Sequence, residues 1–415
     1  MICKSFLRRN IVCGIDVGNS AVKTIIAELN RDNLRPHILG VGSVESTGLR
    51  RGTVVDMEEE VKNIGASLER AQSMAGVKVS QAYVSLNGLH IRTQESRGVV
   101  AVARADSEIM QSDVDRVVDA ASVISLPQNR EVIHVIPRNF IIDGQEHVKN
   151  PVGMKGVRLE ADVMIIDGLS TYIRNLAKCI NANDIEVLEF VYSPLALARS
   201  ALNKHQREHG VLSLDLGGGF STMSIFHEGE IVYTGVIPIG SRHITNDLAI
   251  ALRSPMDIAE EIKKDSGFIS DSVIPKKDTI DLSDIMQEEG FIVPKKHIAE
   301  VINARTAEIF EKVDKELKNS GHNLLPAGLV LSGGGANLHG LSDYAKHKMK
   351  LAVRVGGDYF LEGISDKVTD PSFAVAVGLI VWGMEKEARG GSYKGKFSIG
   401  GPLKKFGDWL KNFAP

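Results

Sequence analysis

One short pattern occurs twice in this chain of 415 residues, about 200 positions apart. Residues 11–20 read Ile-Val-Cys-Gly-Ile-Asp-Val-Gly-Asn-Ser, and residues 211–219 read Val-Leu-Ser-Leu-Asp-Leu-Gly-Gly-Gly. Each is an apolar run ending in Asp-x-Gly, then a tight turn, then a second apolar run over residues 22–29 or 221–226. Such runs, punctuated by Gly and Asn, predict two strand-turn-strand hairpins. Two such hairpins, one per half of the chain, can face each other and hold the two ends of one polyphosphate.

The residue types suit that task. A phosphate group needs backbone N–H donors with no side chain in the way, which glycine turns supply; Gly18, Gly217, Gly218 and Gly219 stand at those turns. A hydrated magnesium ion takes one or two carboxylates, often through its own waters, and Asp16 and Asp215 sit at the matching strand ends. Lys23, Asn19, Ser20, Ser221 and Thr222 are further candidates for the phosphate oxygens. A single Asp-x-Gly is explained by a plain hairpin turn. A second copy with its carboxylate in the same place, followed in order by a third glycine turn over residues 332–337, is not. The GxxxxGK[ST] loop is absent, which excludes a P-loop protein.

A net charge of −3 gives no overall attraction to nucleic acid, and none is expected as a partner. Cys3, Cys13 and Cys179 form no CxxC pair, a sparse usage that fits a reducing cytosol. No apolar run of about 18 residues appears. Asp16 interrupts the only apolar stretch after Lys4, Arg8 and Arg9, so no signal peptide is expected and the chain reads as cytoplasmic.

Helical spacing is predicted over 55–75, through Met57, Val61, Ile64, Leu68 and Ala71, and over 297–318, through Ile298, Val301, Ile302, Ile309, Phe310 and Val313. Residues 81–166 read as a strand-helix-strand-strand block inserted into the first half. Residues 389–401 are rich in Gly and Ser and predict a flexible linker. Beyond Pro402, Leu403, Phe406, Trp409, Leu410 and Phe413 fall within an arc of roughly 120° on a helix, with Lys404, Lys405 and Lys411 opposite. A basic amphipathic helix with Trp and Phe on one face suits a membrane interface bearing anionic lipid. The alternatives are docking on the protein's own surface or in a partner's groove.

Asp16-x-Gly18, Asp215-x-Gly217-Gly218-Gly219 and Gly333-Gly334-Gly335-Ala336 resemble the two phosphate motifs and the adenosine motif of the actin, Hsp70 and sugar-kinase superfamily. Residues 193–198 and 371–379 resemble its two connecting helices, and Glu260 and Lys263 lie where bacterial actins place a Glu and a Lys against the ribose. Within that superfamily the chain is similar to the bacterial cell-division actins of the FtsA family. The resemblance implies a two-lobed α/β actin-like ATPase fold with duplicated RNase H-like cores, an inserted α/β subdomain and a C-terminal amphipathic helix. It implies subdomain IA at 1–80, 167–205 and 367–388, the inserted 1C-like subdomain at 81–166, IIA at 206–245 and 300–366, IIB at 246–299, the linker at 389–401 and the membrane helix at 402–415.

The same resemblance implies ATP and magnesium as ligands, self-association into filaments, and location on the inner face of the membrane at the division septum. The implied partners are the acidic C-terminal tail of FtsZ, held by Arg305 with Lys295 and Lys296 nearby, and later division proteins of the membrane. For the two lysines a solvated helix face is an equal reading. Where filament-forming relatives carry a Glu-Glu pair this chain has Tyr192-Ser193, so tight ATP binding with slow turnover is expected. Two other readings stand: a PilM-type pilus-assembly actin, which lacks its own membrane helix, and an actin-fold small-molecule kinase, which needs an acidic base for which no residue stands out.

Overall fold

The computed structural model describes residues 11–29, 35–270, 278–286, 290–357, 362–363, 366 and 368–388. The linker at 389–401 and the amphipathic segment at 402–415 lie outside them.

Both predicted hairpins form, and each nucleates a sheet of the same order. In the first lobe Ile11–Val17 pairs antiparallel with Ala21–Leu29, Val17 facing Val22 across the turn. Pro36–Glu45 extends that edge antiparallel. On the other side of Ile11–Val17, Gln81–Leu86 and then Glu186–Tyr192 add parallel strands. The second lobe repeats the plan. Val211–Leu216, Ser221–His227 and Glu230–Ile237 are antiparallel, and Leu329–Ser332 and Val353–Val355 are parallel on the far side of Val211–Leu216. Strands covered on both faces need no polar alternation, which is why both hairpins read as nearly continuous apolar runs.

Helix Met57–Ala75 covers one face of the first sheet with Ile64, Leu68 and Ala71, and Glu60 is buried on the same stripe. Val61 is only half-buried and Met57 is exposed. Helix Ala374–Ala388 is apolar almost all round, the pattern of a helix enclosed on every side. It crosses Ser193–Ala201 so closely at Gly378 that a Cβ there would lie 2.0 Å from the Ala196 carbonyl oxygen. Glycine is required at that crossing because backbone meets backbone.

The inserted unit is a four-stranded antiparallel sheet in the order Arg92–Ala101, Arg158–Leu169, Arg130–Ile142, Gln145–Val148. Helix Gln111–Ser122 packs on it around a separate core that includes Val114, Val117, Leu159 and Ile165. Two details differ from the sequence expectation. Strand Gln81–Leu86, expected within the inserted block, belongs to the first lobe's sheet beside Ile11–Val17. Strand Arg92–Ala101, not expected at all, forms the edge of the inserted sheet and is mostly exposed, so its residues show no apolar alternation. At the unit's root the buried Arg130–Asp167 ion pair is reinforced by Gln94, whose amide donates to Asp167 at 2.7 Å. In the second lobe, helix Lys295–Asn319 buries Ile298, Ile302, Ile309, Phe310 and Val313, with Val301 half-buried. Among the described residues no helix is long and apolar enough to cross a membrane.

Candidate functional site

The two hairpin turns meet at the base of a cleft of about 1280 Å³ between the lobes. Their contact is close: a Cβ on Gly218 would lie 1.9 Å from Ser20 Oγ, and one on Gly219 would lie 2.9 Å from Asn19 Cγ. Ser20 and Gly218 are thus in direct contact where the first turn seats against the second. The Gly18 N–H closes the first turn on the Ala21 carbonyl at 3.1 Å. The second turn is braced from behind by helix Ser241–Leu252, whose Ser241 and Arg242 N–H groups donate to the Gly217 and Gly218 carbonyls at 2.8 and 2.9 Å.

Asp16 and Asp215 line the cleft from opposite lobes. Asp16 accepts a hydrogen bond from Ser85 Oγ at 2.7 Å, and Ser85 Oγ in turn accepts from the Val17 N–H at 3.0 Å. Burial raises the Asp16 carboxyl above its ordinary range, against the opposing pull of Lys23 and Ser85. Burial also pushes Asp215 up to about 6; the Asp16 charge adds to this and Lys23 opposes it. Lys23 donates to the Ser372 carbonyl at 2.6 Å, which spans from the first hairpin to the turn preceding helix Ala374–Ala388.

On the far wall, Glu260 Oε2 accepts from Lys263 Nζ at 2.6 Å and from Thr245 Oγ1 at 2.5 Å. Burial alone would raise the Glu260 carboxyl, but Lys263 and Thr245 bring it below its usual range. Gly333, Gly334 and Gly335 form the third turn on the cleft wall. It is tied to the connecting segment by Gly333 N–H to Pro371 carbonyl at 3.0 Å and Asn337 Nδ2 to Asp370 at 2.9 Å.

Of the candidates, Asp16, Gly18, Asn19, Ser20, Lys23, Asp215, Gly217, Gly218, Glu260, Lys263, Gly333, Gly334 and Gly335 all line this one cleft. Four do not. The Ser221 hydroxyl donates to the Ile239 carbonyl at 2.6 Å, and Thr222 Oγ1 accepts from Asn87 Nδ2 at 2.9 Å, so both hydroxyls already have partners within the protein. Gly219 packs on Asn19, and Ala336 is buried beneath its turn.

The expected acidic-tail site also changes. Lys295 is part of the cleft wall and pairs with Asp278 at 3.3 Å. Lys296 pairs with Glu300 at 3.5 Å. Arg305 lies nine residues beyond Lys296, about half a turn round, and ten beyond Lys295, about a quarter turn round, so it is about 13–15 Å from both along the axis. The two lysines and Arg305 therefore do not form one patch. Arg305 itself grips Asp247 with two bonds, Nε at 2.7 Å and Nη2 at 3.0 Å, and its remaining nitrogen reaches Glu308.

Ser85 and Asn87 were not expected at the site. Ser85 reaches Asp16 only because its strand runs parallel to Ile11–Val17, with Ile15 opposite Val84. Tyr192 is buried with its hydroxyl against Thr234 Oγ1 at 2.9 Å, while Ser193 faces the cleft. The donor set fits a hydrated divalent cation bound with a polyphosphate. Two carboxylates converge, each raised by burial, and an added cation would stabilise both charges. Among the described residues no group of three or more His, Cys, Asp or Glu gathers to enclose a metal directly, so such a cation would keep most of its water.

Comparison with known proteins places this geometry. A family model described as "SHS2 domain inserted in FTSA" matches residues 88–167, and one described as "Cell division protein FtsA" matches residues 212–378. The chain is 36% identical over 381 residues to the cell division protein FtsA of Pseudomonas aeruginosa, covering 92% of this chain and 91% of that one. It is 36% identical over 366 residues to that of Bacillus subtilis, covering 88% and 82%, and 31% identical over 414 residues to that of Escherichia coli K12, covering 97% and 98%. Among solved structures, a PilM-PilN type IV pilus biogenesis complex aligns with a TM-score of 0.66 at 16% identity, over 90% of this chain and 98% of that one. MreB 5 of Spiroplasma citri bound to AMPPNP aligns with a TM-score of 0.54 at 14% identity, over 92% and 98%. These two likenesses are of fold: the two-lobed actin-like ATPase fold, here with an inserted SHS2 domain. With both family models matched and relatives at 31–36% identity over most of its length, the chain belongs to the FtsA family of cell division proteins.

Proposed function

We propose that the chain binds ATP with magnesium in the cleft between its lobes. We further propose that it polymerises on the inner face of the cytoplasmic membrane at the septum, anchors FtsZ filaments there and helps recruit later division proteins. The observation that carries the nucleotide reading is the seating of Ser20 against Gly218, which brings two phosphate-type turns and two carboxylates to one point. Gly18, Asn19, Ser20 and Lys23 would hold phosphate oxygens from one lobe and Gly217 and Gly218 from the other. Asp16 and Asp215 would orient the magnesium ion through its waters, with Glu260 and Lys263 at the ribose and Gly333 to Gly335 beside the base. Bound ATP would supply a polyanion that both lobes can hold at once.

Attachment to the membrane is assigned to Leu403, Phe406, Trp409, Leu410 and Phe413, with Lys404, Lys405 and Lys411 toward anionic headgroups. One short helix binds weakly, and many on one polymer bind at high effective concentration. Deleting residues 402–415 is expected to abolish co-sedimentation with anionic liposomes and to leave ATP affinity unchanged. Unaltered sedimentation would remove the tail from this role.

For the acidic FtsZ tail the candidate is Arg305. Because its guanidinium is already paired with Asp247 and Glu308, a tail carboxylate would replace the more exposed Glu308 and keep the Asp247 clamp. Arg305→Glu is expected to weaken a fluorescent FtsZ-tail peptide by about tenfold or more, since it sets three carboxylates together. Lys296→Glu, half a turn away, is expected to change that affinity less than about twofold. Equal anisotropy titrations for wild type and Arg305→Glu would take Arg305 out of the site.

A further inference from the structure

Glu60 is a carboxylate on the wrong side of its helix. It occupies the apolar stripe with Ile64, Ser67, Leu68 and Ala71, and it is completely buried. One carboxyl oxygen, Oε1, has no hydrogen-bond partner. The other accepts from Ser46 Oγ at 3.2 Å. Burial raises its pKa, and the hydrogen bond from Ser46 opposes that rise. For stability alone an apolar side chain of similar size would serve this stripe as well or better, since an incompletely paired buried carboxyl is costly.

What the carboxyl touches is the support of the first phosphate turn. Ser46 is itself fully buried, and its N–H donates to the Ser20 carbonyl at 3.1 Å. Six residues on, the Gly52 N–H donates to Asn19 Oδ1 at 3.1 Å. The segment 46–56 is folded back on itself by the Val55 and Asp56 N–H groups donating to the Gly48 carbonyl at 2.9 and 3.1 Å. It thus forms a strap held to helix Met57–Ala75 at one end and to the tip Asn19-Ser20 at the other. Asn19 and Ser20 are the residues that meet Gly219 and Gly218 of the opposite lobe.

We infer that Glu60 is a positioning residue for the polyphosphate site, acting through Ser46 to hold Ser20 in register with Gly218. The inference rests on the nucleotide reading of the cleft. It separates binding from stability, because the group that orients the turn is one that the fold does not need.

The test measures ATP–magnesium affinity and urea stability on the full chain. Glu60→Met is expected to leave the unfolding midpoint unchanged or raised while ATP affinity falls about tenfold, the worth of one positioning hydrogen bond. Glu60→Gln, which keeps an acceptor for Ser46, is expected to restore affinity to within about twofold. Ser46→Ala cuts the same link from the other side and serves if Glu60→Met fails to fold; it should lose about tenfold alone and nothing further when combined with Glu60→Met. Unchanged ATP affinity in both Glu60→Met and Ser46→Ala, with wild type binding normally, overturns the role of Glu60. A wild-type chain that binds no ATP overturns the nucleotide reading itself and the positioning role with it.

Discussion

Gly378→Val is expected to leave the first lobe unable to close on its own core. The Cβ of any side chain there would lie 2.0 Å from the Ala196 carbonyl oxygen and 2.3 Å from its carbon. Both atoms are backbone, so no rotamer change can relieve the overlap, and the two crossing helices must separate instead. Helix Ala374–Ala388 has buried residues on every side, so separation opens voids against the sheet as well. Overpacking of this kind costs about 3 kcal/mol or more, a large share of the roughly 5–15 kcal/mol that holds a typical domain. The measurement is a urea titration followed by circular dichroism: Gly378→Val should show a sharply lower midpoint or fail to purify as a soluble chain. Ala388→Val, at the exposed end of the same helix, should shift the midpoint by less than about 0.5 kcal/mol. Equal midpoints for the two variants would contradict the crossing geometry.

The second large effect has opposite signs with and without ligand. Asp215→Asn is expected to stabilise the empty protein and to abolish its stabilisation by ATP and magnesium. In the folded chain the Asp215 carboxyl is raised from 3.8 to about 6, so its charged form costs stability. That cost is absent well below 3.8, where the group is protonated whether folded or not, grows as pH rises towards about 6, and is complete above about pH 7. The carboxyl still opens on cleft water, which holds the gain from Asn at pH 7 to about 1–2 kcal/mol. A ligand at a hundred times its dissociation constant adds about 2.7 kcal/mol, and losing the magnesium contact should remove most of it. Thermal melts at pH 7 with and without ATP–magnesium check both signs. A variant that is less stable when empty and still shifted by ATP would show that Asp215 faces neither Asp16 nor a cation.

The hairpins were legible because the role proposed for them is written in the backbone. A turn that offers N–H groups to phosphate needs glycine, a strand buried on both faces needs an unbroken apolar run, and both requirements show as residue types. The third turn was readable for the same reason, and the helix Lys295–Asn319 by its apolar residues at helical spacing. What stayed hidden depends on pairing across long sequence separations. Ser85 meets Asp16 through parallel strand register, Asn87 meets Thr222 across the lobes, and Ser221 turns its hydroxyl inward to Ile239. Glu60 carried a signal in its position, a charge on an apolar stripe, but an acidic first helical turn is also what a helix N-terminus favours, and that reading conceals it. The two lysines share a helix with Arg305, but about 13–15 Å of axial rise and their own pairings with Asp278 and Glu300 separate them from it.

The bond from Asn87 Nδ2 to Thr222 Oγ1, 2.9 Å long, has a mechanical side. Asn87 is where the chain leaves the first lobe's sheet, directly before the SHS2 match begins at residue 88. The stem of the inserted domain is thereby pinned to the second lobe's hairpin while its base stays in the first. A relative rotation of the lobes would act on that stem through this bond. The domain's long strand Arg130–Ile142 has 13 residues, which makes an arm of about 40 Å. A tilt of about 5° at the stem would move the far end by about 3–4 Å over an arm of that length.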